Sequence, residues 1–361
     1  MRTPSSVSPA ALPAGFAVRL IDWQRQSGRH HLPWQGTRDP YRVWLSEIML
    51  QQTQVNTVLD YYPRFLARFP DVQTLAAAPA DEVMALWSGL GYYSRARNLH
   101  RCAQTVVAEH GGHFPERAAQ LQDLPGIGAS TAAAIAAFCF GERVSILDGN
   151  VRRVLGRLLA FEEDLARAGP QQRLWELAQA LLPDHPGVQD MVAYTQGLMD
   201  LGATLCTRSR PRCPQCPVRD LCLAHARDAV QDFPVRTRNL RRQSMSWWLL
   251  LWRRPASTGW QLQLLRRPAS GIWAGLFCPP VYGSEAELLE AVPIAWRDRV
   301  QPLPVVPHSL THREMRLHPI LLDAPDSGYE EALSPEACWV DRDDLPGVGL
   351  PAPVRQLLDR L

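Results

Sequence analysis

The sequence has no lysine: all 38 of its Lys-plus-Arg positions are arginine, so no side-chain amine exists to form a Schiff base. Codon bias accounts for most of that excess, but the chemical consequence holds either way. Arginine also donates in pairs from a planar fork, which suits phosphate and base-edge contacts. Long apolar runs are missing too, and none reaches the length that spans a bilayer. The opening MRTPSSVSPAALPAG lacks the apolar core of a signal peptide and reads as a disordered tail, 1–15. Together these absences predict a cytoplasmic chain with no membrane partner. A large charge imbalance is absent as well, since a net charge of +2 says little about partners. Eight cysteines in a reducing compartment point to metal or free thiol rather than a disulfide framework.

What is present divides in two. At 361 residues the chain exceeds one comfortable core, and 46% hydrophobic residues predict packed globular structure. From about Phe16 to His225, apolar residues recur at spacings of three and four, as in Val43 to Phe65, which predicts helices. DFPVRTRNLRRQ has no apolar period and reads as a linker. Beyond it, SWWLLLWRR and WQLQLLRRP read as a hairpin around PASTG, SEAELLEAV as an amphipathic helix, and PAPVRQLLDRL as a terminal helix. The expected divisions are a tail 1–15, a helical domain 16–230, a linker 231–243 and a mixed domain 244–361.

Cys206, Cys213, Cys216 and Cys222 form C-x6-C-x2-C-x5-C. Thiolates this close can surround one metal centre, and the chemistry suits zinc and iron–sulfur equally. Arg208, Arg210 and Arg212 in the same loop could be held toward phosphate oxygens. Cys102, Cys139, Cys278 and Cys338 are scattered and read as structural.

LPGIG, 124–128, lies between two helical stretches. Its glycines permit a sharp turn, and the following helix offers free N–H groups to an anion. This is a helix-hairpin-helix arrangement suited to a DNA backbone. Downstream, Asp148 precedes a basic helix and reads first as its cap. Glu47 lies in a helix among Trp44, Leu45, Ile48, Met49 and Leu50; such surroundings raise a carboxyl pKa and suit a general acid. Gln51, Gln52 and Gln54 beside it can donate to and accept from base edges.

LPWQ, WLSEIMLQQTQV, GLGYYSRARNLH, LPGIGASTAAAI, ILDGNVRRVL and the cysteine loop, in that order, resemble the iron–sulfur helix-hairpin-helix DNA glycosylases, and within them the MutY adenine glycosylases. The resemblance covers about Phe16 to Leu223 and extends to a MutT-like second domain. It implies an all-α helix-hairpin-helix glycosylase domain with a 4Fe–4S loop, followed by an α+β MutT/Nudix-like domain. It further implies Glu47 as catalytic acid, Asp148 as transition-state carboxylate and the four loop cysteines as ligands of one 4Fe–4S cluster. The implied DNA-contacting set is Trp34, Leu50, Gln51, Gln52, Tyr92, Leu124, Gly126, Gly128, Ser130 and Asn150, with Gln196 in the adenine pocket. The implied partner is duplex DNA carrying adenine opposite 8-oxoguanine or guanine, met by a nucleoid-associated monomer.

In the second domain, RRPASGIWAGLFCPP resembles the opening of a MutT-type fold, yet no REx-x-EE metal signature follows. The domain is therefore expected to read a base without hydrolysing a nucleotide. Where the family has a Phe-Ser-His loop for 8-oxoguanine, this chain has Leu310-Thr311-His312, which keeps a hydroxyl and an imidazole but no aromatic ring. Related glycosylases that cut the strand use a lysine just after the hairpin; Ser130 stands there. A monofunctional enzyme is expected over a lyase, a non-catalytic damage sensor or an electron carrier.

Overall fold

The computed structural model describes residues 12–237, 242–257, 259–324 and 337–361; residues 1–11 of the expected tail and 238–241 of the expected linker lie outside them. The first two-thirds is helical: α1 (Phe16–Ser27), α2 (Pro40–Leu50), α3 (Val55–Arg68), α4 (Val72–Ala77), α5 (Ala80–Leu86), α6 (Ser94–His110), α7 (Ala118–Leu121), α8 (Ala129–Ile135), α9 (Gly149–Leu158), α10 (Ala168–Ala180), α11 (Val188–Asp200) and α12 (Leu223–Ala226). The remainder carries strands β1 (Gln243–Ala256), β2 (Gly259–Arg266), β3 (Phe277–Cys278) and β4 (Val281–Tyr282), then α13 (Glu285–Ala291). It ends with β5 (Gln301–Pro302), β6 (Val306–Ser309), β7 (Arg313–Asp323), β8 (Ala337–Asp341) and α14 (Ala352–Leu358).

Contacts group residues 1–66, 71–73 and 101–238 into one unit, and 67–70, 74–100 and 239–361 into another. The first unit packs α1, α8, α9, α10 and α11 around Leu20, Ala134, Leu155, Leu174 and Leu198, all fully buried. Small residues set the spacing. A Cβ on Gly197 of α11 would meet Leu20 of α1 at 3.0 Å, so the glycine admits a close crossing. The alanine run of α8 is buried for the same reason. Two helices end in π-turns, Ala136–Phe140 after α8 and Leu201–Leu205 after α11. Such turns add a residue to the helical ladder and occur often at functional sites.

The second unit is built on β1. It pairs antiparallel with β2, from Arg253↔Leu262 to Ala256↔Gly259, as the alternating apolar pattern predicts. It pairs in parallel with β7 along its length, from Gln243↔Arg313 to Arg253↔Asp323. The path through the sheet runs β3-β2-β1-β7-β5, with β8 on β2 and β6 on β7. Leu250, Trp252, Ile320 and Leu322 from one face pack on Leu288 and Val292 of the α13 segment. In the same unit, the Ser88 and Tyr93 hydroxyls donate to the Leu350 carbonyl at 2.7 and 3.2 Å, and Arg97 Nη1 donates to the Ala274 carbonyl at 2.7 Å.

Candidate active site

Helix α2 starts where the sequence says it should. Asp39 accepts from the Tyr41 N–H at 2.9 Å as N-cap, and Pro40 takes the first helical position. The helix buries Trp44, Leu45, Ile48 and Met49 and turns Glu47 into a pocket of about 480 Å³ that opens to solvent. Trp34, Leu50, Phe138, Arg29 and Gln196 line the same pocket. Burial pushes the Glu47 carboxyl from 4.5 up to about 8, and the charge of Asp148 pushes it the same way. At neutral pH the group therefore keeps its proton.

Asp148 is the N-cap of α9: its Oδ1 accepts from the Val151 N–H at 2.7 Å. It does not line the pocket, but its charge reaches Glu47 from beside it. Only one of its two oxygens is used by the cap, so capping and a second role are compatible. The hairpin fixes the approach to it, because Ser130 Oγ in the first turn of α8 accepts from the Leu147 N–H at 3.1 Å. Gly126 has φ +79°, a conformation that needs glycine; Gly128 has φ −86°, which any residue adopts, so the sharp turn rests on one glycine and not two. Leu124 is buried beneath the hairpin at 3% exposure, while both glycines are exposed.

The cysteine loop lies against the other end of α9. Cys206, Cys213, Cys216 and Cys222 line one largely apolar pocket with Leu201, Leu205 and Val218. Among the described residues, no three His, Cys, Asp or Glu side chains converge as ligands of a single metal ion. Two arginines of α9 hold the loop. Arg153 donates to the Gly202 and Cys206 carbonyls at 2.7 and 2.8 Å and to Asn150 Oδ1 at 2.7 Å. Arg157, 2% exposed, donates to the carbonyls of Thr207, Arg208, Val230 and Phe233 and to Cys206 Sγ at 3.4 Å. All three loop arginines, Arg208, Arg210 and Arg212, are exposed, and Arg212 also donates to the Thr204 carbonyl at 2.6 Å.

The remaining expected contacts fall on turns. Gln51 caps α2 and donates to Thr131 Oγ1 at 3.3 Å. Gln52, at φ 57°, and Tyr92, at φ 48°, are left-handed non-glycine residues, a strained conformation that clusters at functional sites. Both are exposed. In the second unit, Thr311 and His312 form the tip of the β6–β7 hairpin, and the Tyr92 hydroxyl lies 3.3 Å from Thr311 Oγ1. Sequence reasoning passed over Arg29, Asp200, Arg153 and Arg157. The first two give no motif, although Gln196 and Asp200 stand four residues apart on one helix face; the last two were visible only as the basic character of α9.

The raised Glu47 pKa carries a stability cost. Folding disfavours the ionised form, so stability is full below pH 4.5 and is lost progressively up to about pH 8. Glu47→Gln removes that cost. Its stability is expected to match wild type in acid and to exceed it increasingly from pH 4.5 to 8, by at most about 3 kcal/mol near pH 7, read as a rise in melting temperature. Melting curves that run parallel at every pH contradict the assignment.

Residues 45–180 match the HhH-GPD superfamily base excision DNA repair proteins, and residues 247–360 match the NUDIX domain. The fold is thus a helical helix-hairpin-helix glycosylase domain followed by a sheet-containing Nudix-like domain. The chain is 31% identical over 352 residues to the adenine DNA glycosylase of Buchnera aphidicola subsp. Acyrthosiphon pisum, covering 95% of this chain and 97% of that one. It is 47% identical over 222 residues to the adenine DNA glycosylase of Homo sapiens, covering 59% of this chain and 40% of the human protein. A thermostable thymine-DNA glycosylase of solved structure superposes with TM-score 0.51 at 27% identity, over 59% of this chain and 95% of that one. On full-length similarity and two matched domains, the chain belongs to the adenine DNA glycosylase family, the hydrolases of N-glycosyl bonds.

Proposed function

We propose that this protein excises adenine paired with 8-oxoguanine, or with guanine, from duplex DNA, as a monofunctional hydrolase. The observation that carries the reading is Glu47: a carboxyl protonated at neutral pH, facing a pocket wide enough for a purine, with Asp148 near enough to be felt. Adenine is a poor leaving group inside a duplex, so the nucleotide is flipped out at a cost of a few kcal/mol, less at a mispair. Glu47 gives its proton to a ring nitrogen of adenine, N7 in the resemblance, and the base departs neutral as its bond to the sugar breaks. The sugar becomes an oxocarbenium-like cation. Asp148, held at the positive end of α9, stabilises that cation until water adds to the sugar carbon and releases a proton. Two carboxyl groups in different environments share acid and anion roles, as in the glycosidases of carbohydrates.

Exposed Gln52 and Tyr92, the hairpin with Gly126, Gly128 and Ser130, Asn150 and the neighbouring Trp34, Leu50 and Gln51 are the proposed grip on DNA. Thr311 and His312, displayed together at a hairpin tip, are the proposed readers of 8-oxoguanine. The four loop cysteines are the proposed ligands of one 4Fe–4S cluster. The residues fit it: the four cysteines line one largely apolar pocket, and no carboxylate lines it. A bound cluster would supply a cross-link that stiffens the loop, and the chain itself contributes Arg153 and Arg157 to tie that loop to α9. No described helix is long and apolar enough to cross a membrane, and the protein is read as a monomer acting at the nucleoid.

On an adenine:8-oxoguanine duplex, Glu47→Gln is expected to bind normally and to lose about 10²–10⁴ in single-turnover adenine release, roughly 3–5 kcal/mol. The wild-type rate should fall as pH rises through about 8, where the acid loses its proton. Substantial release by the variant, or a rate flat through that range, sinks the mechanism. Borohydride should trap little covalent adduct, because no lysine is available; efficient trapping refutes a monofunctional enzyme. Thr311→Ala with His312→Ala should shrink the preference for 8-oxoguanine over guanine opposite adenine, and an unchanged ratio removes the hairpin from base reading.

A further inference from the structure

One wall of the Glu47 pocket is held by a residue that never reaches it. Asp200, the last residue of α11, is fully buried at 0% exposure. Its Oδ1 accepts from Arg29 Nε at 2.7 Å and from Gln196 Nε2 at 2.8 Å, and its Oδ2 accepts from the Arg29 backbone N–H at 2.9 Å. Arg29 and Gln196 both line the pocket with Glu47; Asp200 does not.

The orientation of Gln196 follows from chemistry. A glutamine amide can be turned over at little cost, because its two ends differ only in hydrogen bonding. A carboxylate paired with a guanidinium only accepts, so Gln196 must give Asp200 its NH₂ group. The amide oxygen is then left on the pocket side as an acceptor. In the same pocket, protonated Glu47 is a donor. One donor and one acceptor match the edge of adenine, where N7 accepts and the N6 amino group donates; a 6-oxo purine shows two acceptors there, N7 and O6.

We propose that Asp200 is a positioning residue: it fixes the Gln196 amide with its oxygen toward the pocket and thereby selects 6-amino purines over 6-oxo purines. The inference rests on the glycosylase reading above and adds to it the origin of base selectivity. Replacing the carboxylate by an amide removes the constraint, since asparagine can offer its own NH₂ to the Gln196 oxygen and let the Gln196 NH₂ face the pocket.

The test compares single-turnover release of adenine and of hypoxanthine, its 6-oxo counterpart, each opposite 8-oxoguanine in the same duplex, with alkali cutting the product site. The proteins are wild type, Asp200→Asn, Gln196→Met and the double variant. Wild type should favour adenine. Asp200→Asn should lower the adenine-to-hypoxanthine rate ratio by about 10-fold or more, as should Gln196→Met, which removes the acceptor. The double variant should match Gln196→Met. The ratio does not depend on the fraction of protein folded, so general damage, which slows both substrates alike, leaves it unmoved. An unchanged ratio in Asp200→Asn, or a double variant that falls further by the whole Asp200→Asn factor, overturns the proposal. Should Asp200→Asn fail to fold, a wild-type ratio in Gln196→Met overturns it equally. A wild-type protein that releases neither base overturns the glycosylase reading instead.

Discussion

Everything proposed for this molecule depends on keeping water away from one carboxyl group. In water a glutamic acid surrenders its proton far below neutrality. Helix α2 prevents this by surrounding Glu47 with Trp44, Ile48 and Met49, each 3% exposed or less, while leaving the carboxyl facing the pocket. The same dryness would serve badly for Asp148, which must stay anionic. That residue is placed differently, at the start of a helix, where one carboxylate oxygen accepts from the Val151 N–H as its cap. Two acids close enough to sense one another thus sit in different local surroundings, one lining the pocket and one capping a helix.

The second support is α9. Its first residue is preceded by the capping carboxylate, and its later turns present Arg153 and Arg157 to the cysteine loop. A buried guanidinium is costly unless its donors are matched. Arg157 matches its own with four backbone carbonyls and a sulfur, which leaves little freedom in how the loop sits on the helix. Any order imposed on the loop by a metal centre is passed along a rigid rod to the carboxylate at its other end.

Much of this was legible in the sequence, for reasons that can be named. The hairpin β1–β2, α13 and α14 follow from local periodicity and turn residues. Glu47 could be read because its neighbours along the helix are apolar all round, an arrangement that leaves a carboxyl few ways to stay charged. The reading of Asp148 as a cap holds, because an acidic residue just before a basic helix has a local signature. What could not be read is contact between distant segments. Arg29 and Asp200 stand 171 positions apart, and nothing local to either marks it as a partner. The parallel pairing of β1 with β7 is hidden for the same reason: it joins strands separated by the rest of the domain. The left-handed backbone at Gln52 and Tyr92 was also invisible, because residue type there argues against it.

The π-turn at Leu201–Leu205 has a consequence for how this gene can change. The Cys206 N–H reaches back five residues to the Leu201 carbonyl at 2.7 Å, so the turn holds one more residue than an ordinary helical turn. An extra residue rotates everything after it by about 100° around the helix axis. Upstream of the bulge stand Gln196, which lines the pocket, and Asp200, which holds it; downstream stands the first thiol, beside Arg157 of α9. Losing a single codon in this stretch would restore a regular helix and leave no register in which both could be satisfied. The segment has no titratable side chain of its own, yet its length is locked, and so is Gly202, whose added Cβ would meet Asn150 Cβ at 2.7 Å.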